Sequence, residues 1–121
     1  MNYREFTTSA GAKVLAGKNA EQNESLVKDF IGKSNLIFHT EKPGSPFCIT
    51  LGKPEKYDEK EIAIFCAKKS QDWRNNKSDV MVHVFKGKDV YKIKGMKTGT
   101  FGVKKFKVIK IKKEDIEKFQ I

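Results

Sequence analysis

Long apolar runs are missing from this sequence. Nowhere do about 18 consecutive apolar residues occur, the length a membrane-spanning helix needs, and the N-terminal MNYREFTTSA lacks the apolar centre of a secretion signal. Neither export nor membrane insertion is expected, and the cytoplasm is the expected compartment. Cysteine is scarce too: Cys48 and Cys66 are the only two, within the apolar stretches PFCITL and IAIFCAKK. In a reducing compartment such residues behave as small hydrophobes, so both are expected to be core thiols and not a disulfide. Together with His39 and His83 they show none of the paired spacings of zinc ligands, and no metal or other cofactor is expected.

Motifs for chemistry are equally thin. The stretch Gly11 to Asn19, GAKVLAGKN, has five residues between its glycines where a P-loop has four, and Asn19 where the magnesium-binding Ser or Thr should stand. A Cys/His nucleophilic pair would need an accessible thiol with a lowered pKa, whereas apolar surroundings raise it. Asp58, Glu59 and Glu61 cluster, but at a helix start, where carboxylates favour the dipole. The chain is therefore expected to be no enzyme.

What the sequence has is positive charge, and it is localised. The 121 residues carry a net charge of +10; between Lys86 and Lys113 stand eleven lysines against the single acid Asp89, and the rest of the chain cancels to zero. A local excess of this kind favours a polyanion, because phosphate contacts release counterions and steer association. Lys86, Lys88, Lys94, Lys97, Lys104, Lys105 and Lys107 are the expected phosphate contacts on one basic face. Lys18, beside Gly17 and Asn19, could add a lysine and backbone amides at a helix start.

With 38% apolar residues and nine Phe, the chain is rich enough in apolar surface to fold, and residues 1–121 are read as one domain. The fold expected is α+β: a single mixed, mainly antiparallel β-sheet with two α-helices packed on it. Tyr3 to Thr8 and Lys13 to Ala16 flank a turn and predict a hairpin. Asn19 predicts an N-cap with Gln22 at the capping-box position, and Gly32 the C′ position of the first helix, with Leu26, Val27, Phe30 and Ile31 on its buried face. Leu36 to His39 and Phe47 to Leu51 are short strands around a Pro/Gly loop. Ile62, Phe65, Cys66, Lys69 and Trp73 keep helical spacing, which predicts a second helix from Asp58 to about Asn76. Val80 to Phe85 reads as a central strand. Tyr91 to Lys94 and Thr100 to Lys112 read as strands, the second long and bent by bulges where its apolar phase slips. Phe85, Tyr91, Phe101 and Phe106, interleaved with lysines, could stack on unpaired bases, although alternating aromatics usually mean core.

Four segments together resemble the NFACT RNA-binding domain of ribosome-quality-control factors: GKNAEQNESLV from Gly17, NLIFHTEKPGSP from Asn35, the Ala63, Ala67, Ser70 and Trp73 spacing, and KGMKTGTF from Lys94. The resemblance implies an α/β RNA-binding module that helps to recognise tRNA on a stalled large ribosomal subunit, so the implied partner is tRNA or large-subunit ribosomal RNA. It also implies site residues Asn19, Gln22, Asn23, His39, Gly44, Ser45, Thr98 and Gly99. Pro46 departs from the family pattern, which often has His or Ser there. The larger members' other domains have no counterpart here, so a stand-alone member is expected. Two other readings are weighed: a nucleotide- or RNA-processing enzyme using His39 as acid or base, and an interaction module docking on an acidic protein.

Overall fold

Asn19 sets the first helix. Its backbone is extended and its side-chain Oδ1 accepts a hydrogen bond from the Gln22 N–H at 2.9 Å, which satisfies one of the amides that a helix start leaves without a partner. In the structure, a computed structural model that describes residues 2–120, this helix is α1 (Ala20–Lys28). It stops earlier than the position of Gly32 predicts, because the Asp29 and Phe30 amides bond back three residues and tighten the last turn. Phe30 and Ile31 still pack on the apolar cluster beneath.

The hairpin forms as expected, β1 (Arg4–Thr7) against β2 (Lys13–Ala16), with Gly11 at φ +93° in its turn. β3 (Leu36–Thr40) and β4 (Cys48–Thr50) follow, then β5 (Val80–Lys86) and, near the end, β8 (Lys107–Ile111). These six make one sheet in the order β1-β2-β4-β3-β5-β8, antiparallel at every pairing. The α+β reading with a mainly antiparallel sheet holds.

The number of helices does not. Ser70 interrupts the long second helix: its hydroxyl donates to the Ala67 carbonyl and accepts from the Trp73 amide. Competition of this kind with the backbone ladder starts a new helix. The result is α2 (Lys56–Lys68) and α3 (Gln71–Asn76). α2 also starts before Asp58; Asp58 sits at its third position and accepts from the Glu55 amide. Glu61 is left free to bind Ser9 in the β1–β2 turn. A fourth helix, α4 (Lys113–Lys118), follows β8 directly.

The long basic strand is also two pieces. β6 (Val90–Tyr91) and β7 (Gly102–Val103) form a separate ribbon, and the chain then crosses to the main sheet as β8. The phase slip between Val103 and Phe106 marks this change of sheet, not a bulge. Gly102 lets the exposed Tyr91 ring lie across it, since a Cβ there would push the ring aside.

Both faces of the main sheet are used. Val80, Val82 and Val84 of β5 join Phe38, Ile62, Phe65 and Trp73 in a core with α2, α3 and α4. Ile37, Ile49 and Phe85 on the other face meet Leu26 and Val27 of α1 and Val90 of the ribbon. Cys48 and Cys66 are buried free thiols, and burial pushes the Cys48 thiol well above its ordinary value.

Candidate nucleic-acid interface

α1 and the ribbon leave one end of their sheet face uncovered. The result is a groove of about 860 Å³ between the start of α1, the β3–β4 turn, the start of α3 and the loop before β7. Among the residues expected from sequence, Lys18, Asn19, Asn23, His39, Gly44, Ser45 and Gly99 line it.

Most of these build the groove's walls. Asn23 is buried, and its Oδ1 accepts from the Phe47 amide at 3.1 Å, which pins α1 to the strand after the turn. Gly17 packs so tightly on Asn23 that a Cβ would fall 2.0 Å from that oxygen. Gln22 accepts from the Lys18 amide and donates to the Asn2 carbonyl. Ser45 is buried; its hydroxyl accepts from Thr40 N–H and donates to the Pro46 carbonyl, closing the turn. Gly44, at φ +95°, accepts through its carbonyl from the Gln71 amide, and a Cβ there would press on the Gln71 side chain at 2.9 Å.

Gly99 is held at the start of α1. Its amide donates to Glu24 at 2.7 Å, and a Cβ would approach the Ala20 carbonyl to 3.1 Å. Glu24 also accepts from Lys92, whose ammonium donates to the carbonyls of Lys97 and Thr100 as well and lies over the Phe101 ring. That ion pair above all, together with the Gly99 amide and Lys28, lowers the Glu24 carboxyl to about 2. Lys92 is thus an internal bolt.

His39 lies on the groove floor, its ring stacked on Phe47 with centroids 4.2 Å apart. Loss of water around it lowers its pKa to about 4, and the facing His83 adds to this, so the imidazole is neutral at pH 7.

The groove's charge comes from residues that the sequence pattern did not single out. Arg4 from β1, Lys69 at the end of α2 and Arg74 from α3 line it with Lys18. Arg74 is also tied to the Lys69 carbonyl at 3.1 Å. Burial first, then the charges of Arg4, Lys68 and Arg74, hold the Lys69 ammonium below its ordinary value. Cations gathered in this way attract an anion. No spacing links positions 4, 18, 69 and 74; only the strand order and the α2–α3 corner bring them together.

The lysine-rich stretch does not lie in that groove. Lys86, Lys88, Lys105 and Lys107 line a second hollow of about 710 Å³, with Lys53 and Phe106. Lys107 is paired there with Glu59 at 2.8 Å. Lys94, Lys97, Thr98 and Lys104 are exposed outside both concavities. The stretch therefore serves several surfaces and one internal ion pair, because the chain changes sheets within it.

Among the described residues no group of three or more His, Cys, Asp or Glu side chains could hold a metal ion, and no helix is long and apolar enough to cross a membrane. An antiparallel sheet with a cation-lined groove at its turn end, built by side chains that bind backbone, defines a class: an α+β domain with helices on both faces of its sheet. Comparison with known proteins gives the family. Residues 2–105 match the NFACT protein RNA binding domain, and the chain belongs to that family. It is similar to the archaeal Rqc2 homolog aRqcH of Methanocaldococcus jannaschii, with 32% identity over 72 residues, which cover 57% of this chain and 11% of that protein. Its fold is that of the C-terminal part of the fibronectin/fibrinogen-binding protein from Streptococcus suis, with a TM-score of 0.83 and 21% identity over the whole of this chain and 50% of that one. The chain thus spans only a small part of the archaeal relative and half of the solved streptococcal chain.

Proposed function

We propose that this chain is a non-catalytic, cytoplasmic RNA-binding module of the translation machinery. It recognises tRNA or large-subunit ribosomal RNA through backbone phosphates, in a ribosome-quality-control setting like that of the larger relatives. One observation carries the reading: Arg4, Lys18 and the Lys69/Arg74 pair at the α2–α3 corner line one groove from three separate parts of the chain. Phosphate contacts position an RNA without reading its sequence, so sequence preference is low and recognition is by shape. The lysines of the second hollow extend the same electrostatic footprint.

The neutral, stacked His39 supports binding over catalysis. At a pKa of about 4 it is too weak a base and too rarely protonated an acid for proton transfer near pH 7. The test is binding of tRNA by the intact chain at several salt concentrations. If about five phosphates are neutralised, log affinity falls against log salt with a slope of roughly −4. Affinity unchanged between about 50 and 200 mM salt overturns the proposal, and so does tighter binding to an acidic protein than to RNA.

A further inference from the structure

The two concavities share Phe85, and a second pair of rings bridges them. His83, in the middle of β5, lines the cationic groove; Phe106, just before β8, lines the lysine hollow. Their rings stack, with centroids 4.2 Å apart and planes 16° from parallel. Glu41 meets the edge of the imidazole, Oε1 lying 3.3 Å from His83 Nε2, so the His83 ring is held at one face and one edge.

Phe106 gives one ring face to His83 and still leaves 49% of its surface exposed, as does Val108, which pairs with His83 across the strands. Phe38, Phe47, Phe65 and Phe85, by contrast, are buried. A single exposed apolar side chain needs no explanation. Here an aromatic ring, an imidazole and a valine form a continuous strip on the sheet face that α1 leaves open, with cations in the concavities at both ends.

We propose that the Phe106 and His83 strip is a stacking platform for an unpaired base of the bound RNA, whose backbone runs from the groove on one side to the lysine hollow on the other. The inference rests on the RNA-binding reading and adds to it the kind of RNA preferred: a loop, bulge or single-stranded end. A base within a duplex already has both faces covered, whereas an unpaired base gains a partner by stacking on an aromatic side chain. Because His83 and Glu41 already orient the platform, little ordering cost remains for binding. The complementarity of charge selects a nucleic acid over an apolar partner, since the hollow that Phe106 lines also holds Lys86, Lys88 and Lys105, and the groove that His83 lines also holds Arg4 and Lys69.

The experiment compares the intact wild-type chain with Phe106→Ala, Phe106→Leu and Phe106→Trp. Two probes of one sequence are used, a single strand carrying 2-aminopurine and its blunt duplex. Wild type should quench the 2-aminopurine fluorescence. Phe106→Ala and Phe106→Leu should weaken single-strand binding by about tenfold and lose the quench, with duplex affinity changed by less than about twofold, while Phe106→Trp restores both signals. Equal weakening on both probes, or no change on either, overturns the platform. If the wild type binds neither probe nor tRNA, the RNA-binding reading falls with it. If it binds RNA with unchanged affinity in Phe106→Ala, only the platform falls. A self-associated wild type that Phe106→Ala makes monomeric, without loss of RNA affinity, assigns the strip to a second copy of the chain and likewise overturns the inference. Thermal melting of each variant separates loss of fold from loss of stacking, and Phe106→Leu keeps most of the apolar bulk that Phe106→Ala removes.

Discussion

The groove and the lysine hollow make opposite use of charge. The groove gathers Arg4, Lys18, Lys69 and Arg74 from three parts of the chain, and burial first, then the charges of Arg4, Lys68 and Arg74, holds Lys69 below its ordinary pKa. The hollow draws most of its lysines from one stretch, yet Glu59 neutralises Lys107, and two lysines nearby in sequence are spent elsewhere: Lys92 on Glu24 and Lys110 on Asp79. Density of charge along a chain is thus a poor guide to density in space. A run of lysines is partly used up in holding itself down, whereas among the described residues no carboxylate lies within ion-pair distance of the four groove cations.

The largest effect should come from the sheet that carries both surfaces. Phe38 is fully buried in β3, and Phe38→Ala should cost about 3–5 kcal/mol in urea unfolding, destabilising groove and hollow together. Next comes the comparison itself. Removing two groove cations, Arg4→Ala with Lys69→Ala, should reduce the salt slope of tRNA binding by about 2, as expected for two lost phosphate contacts. Lys86→Ala with Lys88→Ala should reduce it by about 1 or less. Equal slopes for the two pairs would erase the contrast.

A smaller effect is expected at Glu24. Its carboxyl lies at about 2 in the folded chain against an ordinary 4.5, so the folded state favours the charged form. The stability it contributes is present above pH 4.5 and lost as pH falls toward 2. Glu24→Gln should lower stability by about 1–3 kcal/mol at pH 7 and flatten that part of the acid unfolding curve. His39 titrates with the opposite charge. Its folded value of about 4 lies below the ordinary 6.5, so the fold disfavours the protonated ring and loses stability as pH drops from 6.5 toward 4. His39→Phe should remove that loss, change stability at pH 7 by about 1 kcal/mol through the Phe47 stack, and leave tRNA affinity flat between pH 6 and 8.

Much of the frame was legible because short-range rules set it. Asn19 was readable as a cap, the Pro/Gly loop after His39 as the β3–β4 turn, and Val80 to Phe85 as an interior strand. Where the reading failed, a distant contact or a local competitor decided. Ser70 breaks a helix whose apolar spacing runs on unbroken to Trp73. The chain leaves the ribbon after Val103 although its β-forming residues continue. Of the expected site residues, Asn23 and Ser45 line the groove but bind backbone inside it, and a side chain that shapes a site is written like one that touches a ligand. Arg4, Lys69 and Arg74 were not found, since no periodicity joins them.

Lys92 has a consequence for how such a basic stretch is dissected. One ammonium serves Glu24, two carbonyls and the Phe101 ring, and so fastens the loop from 93 to 101 to the first helix. In a scan that neutralises the lysines one at a time, this position would give the sharpest loss of RNA binding in the series. Melting curves taken beside the titrations would trace that loss to a loop come adrift, and the residue that looked most like an RNA contact would prove to touch no RNA at all.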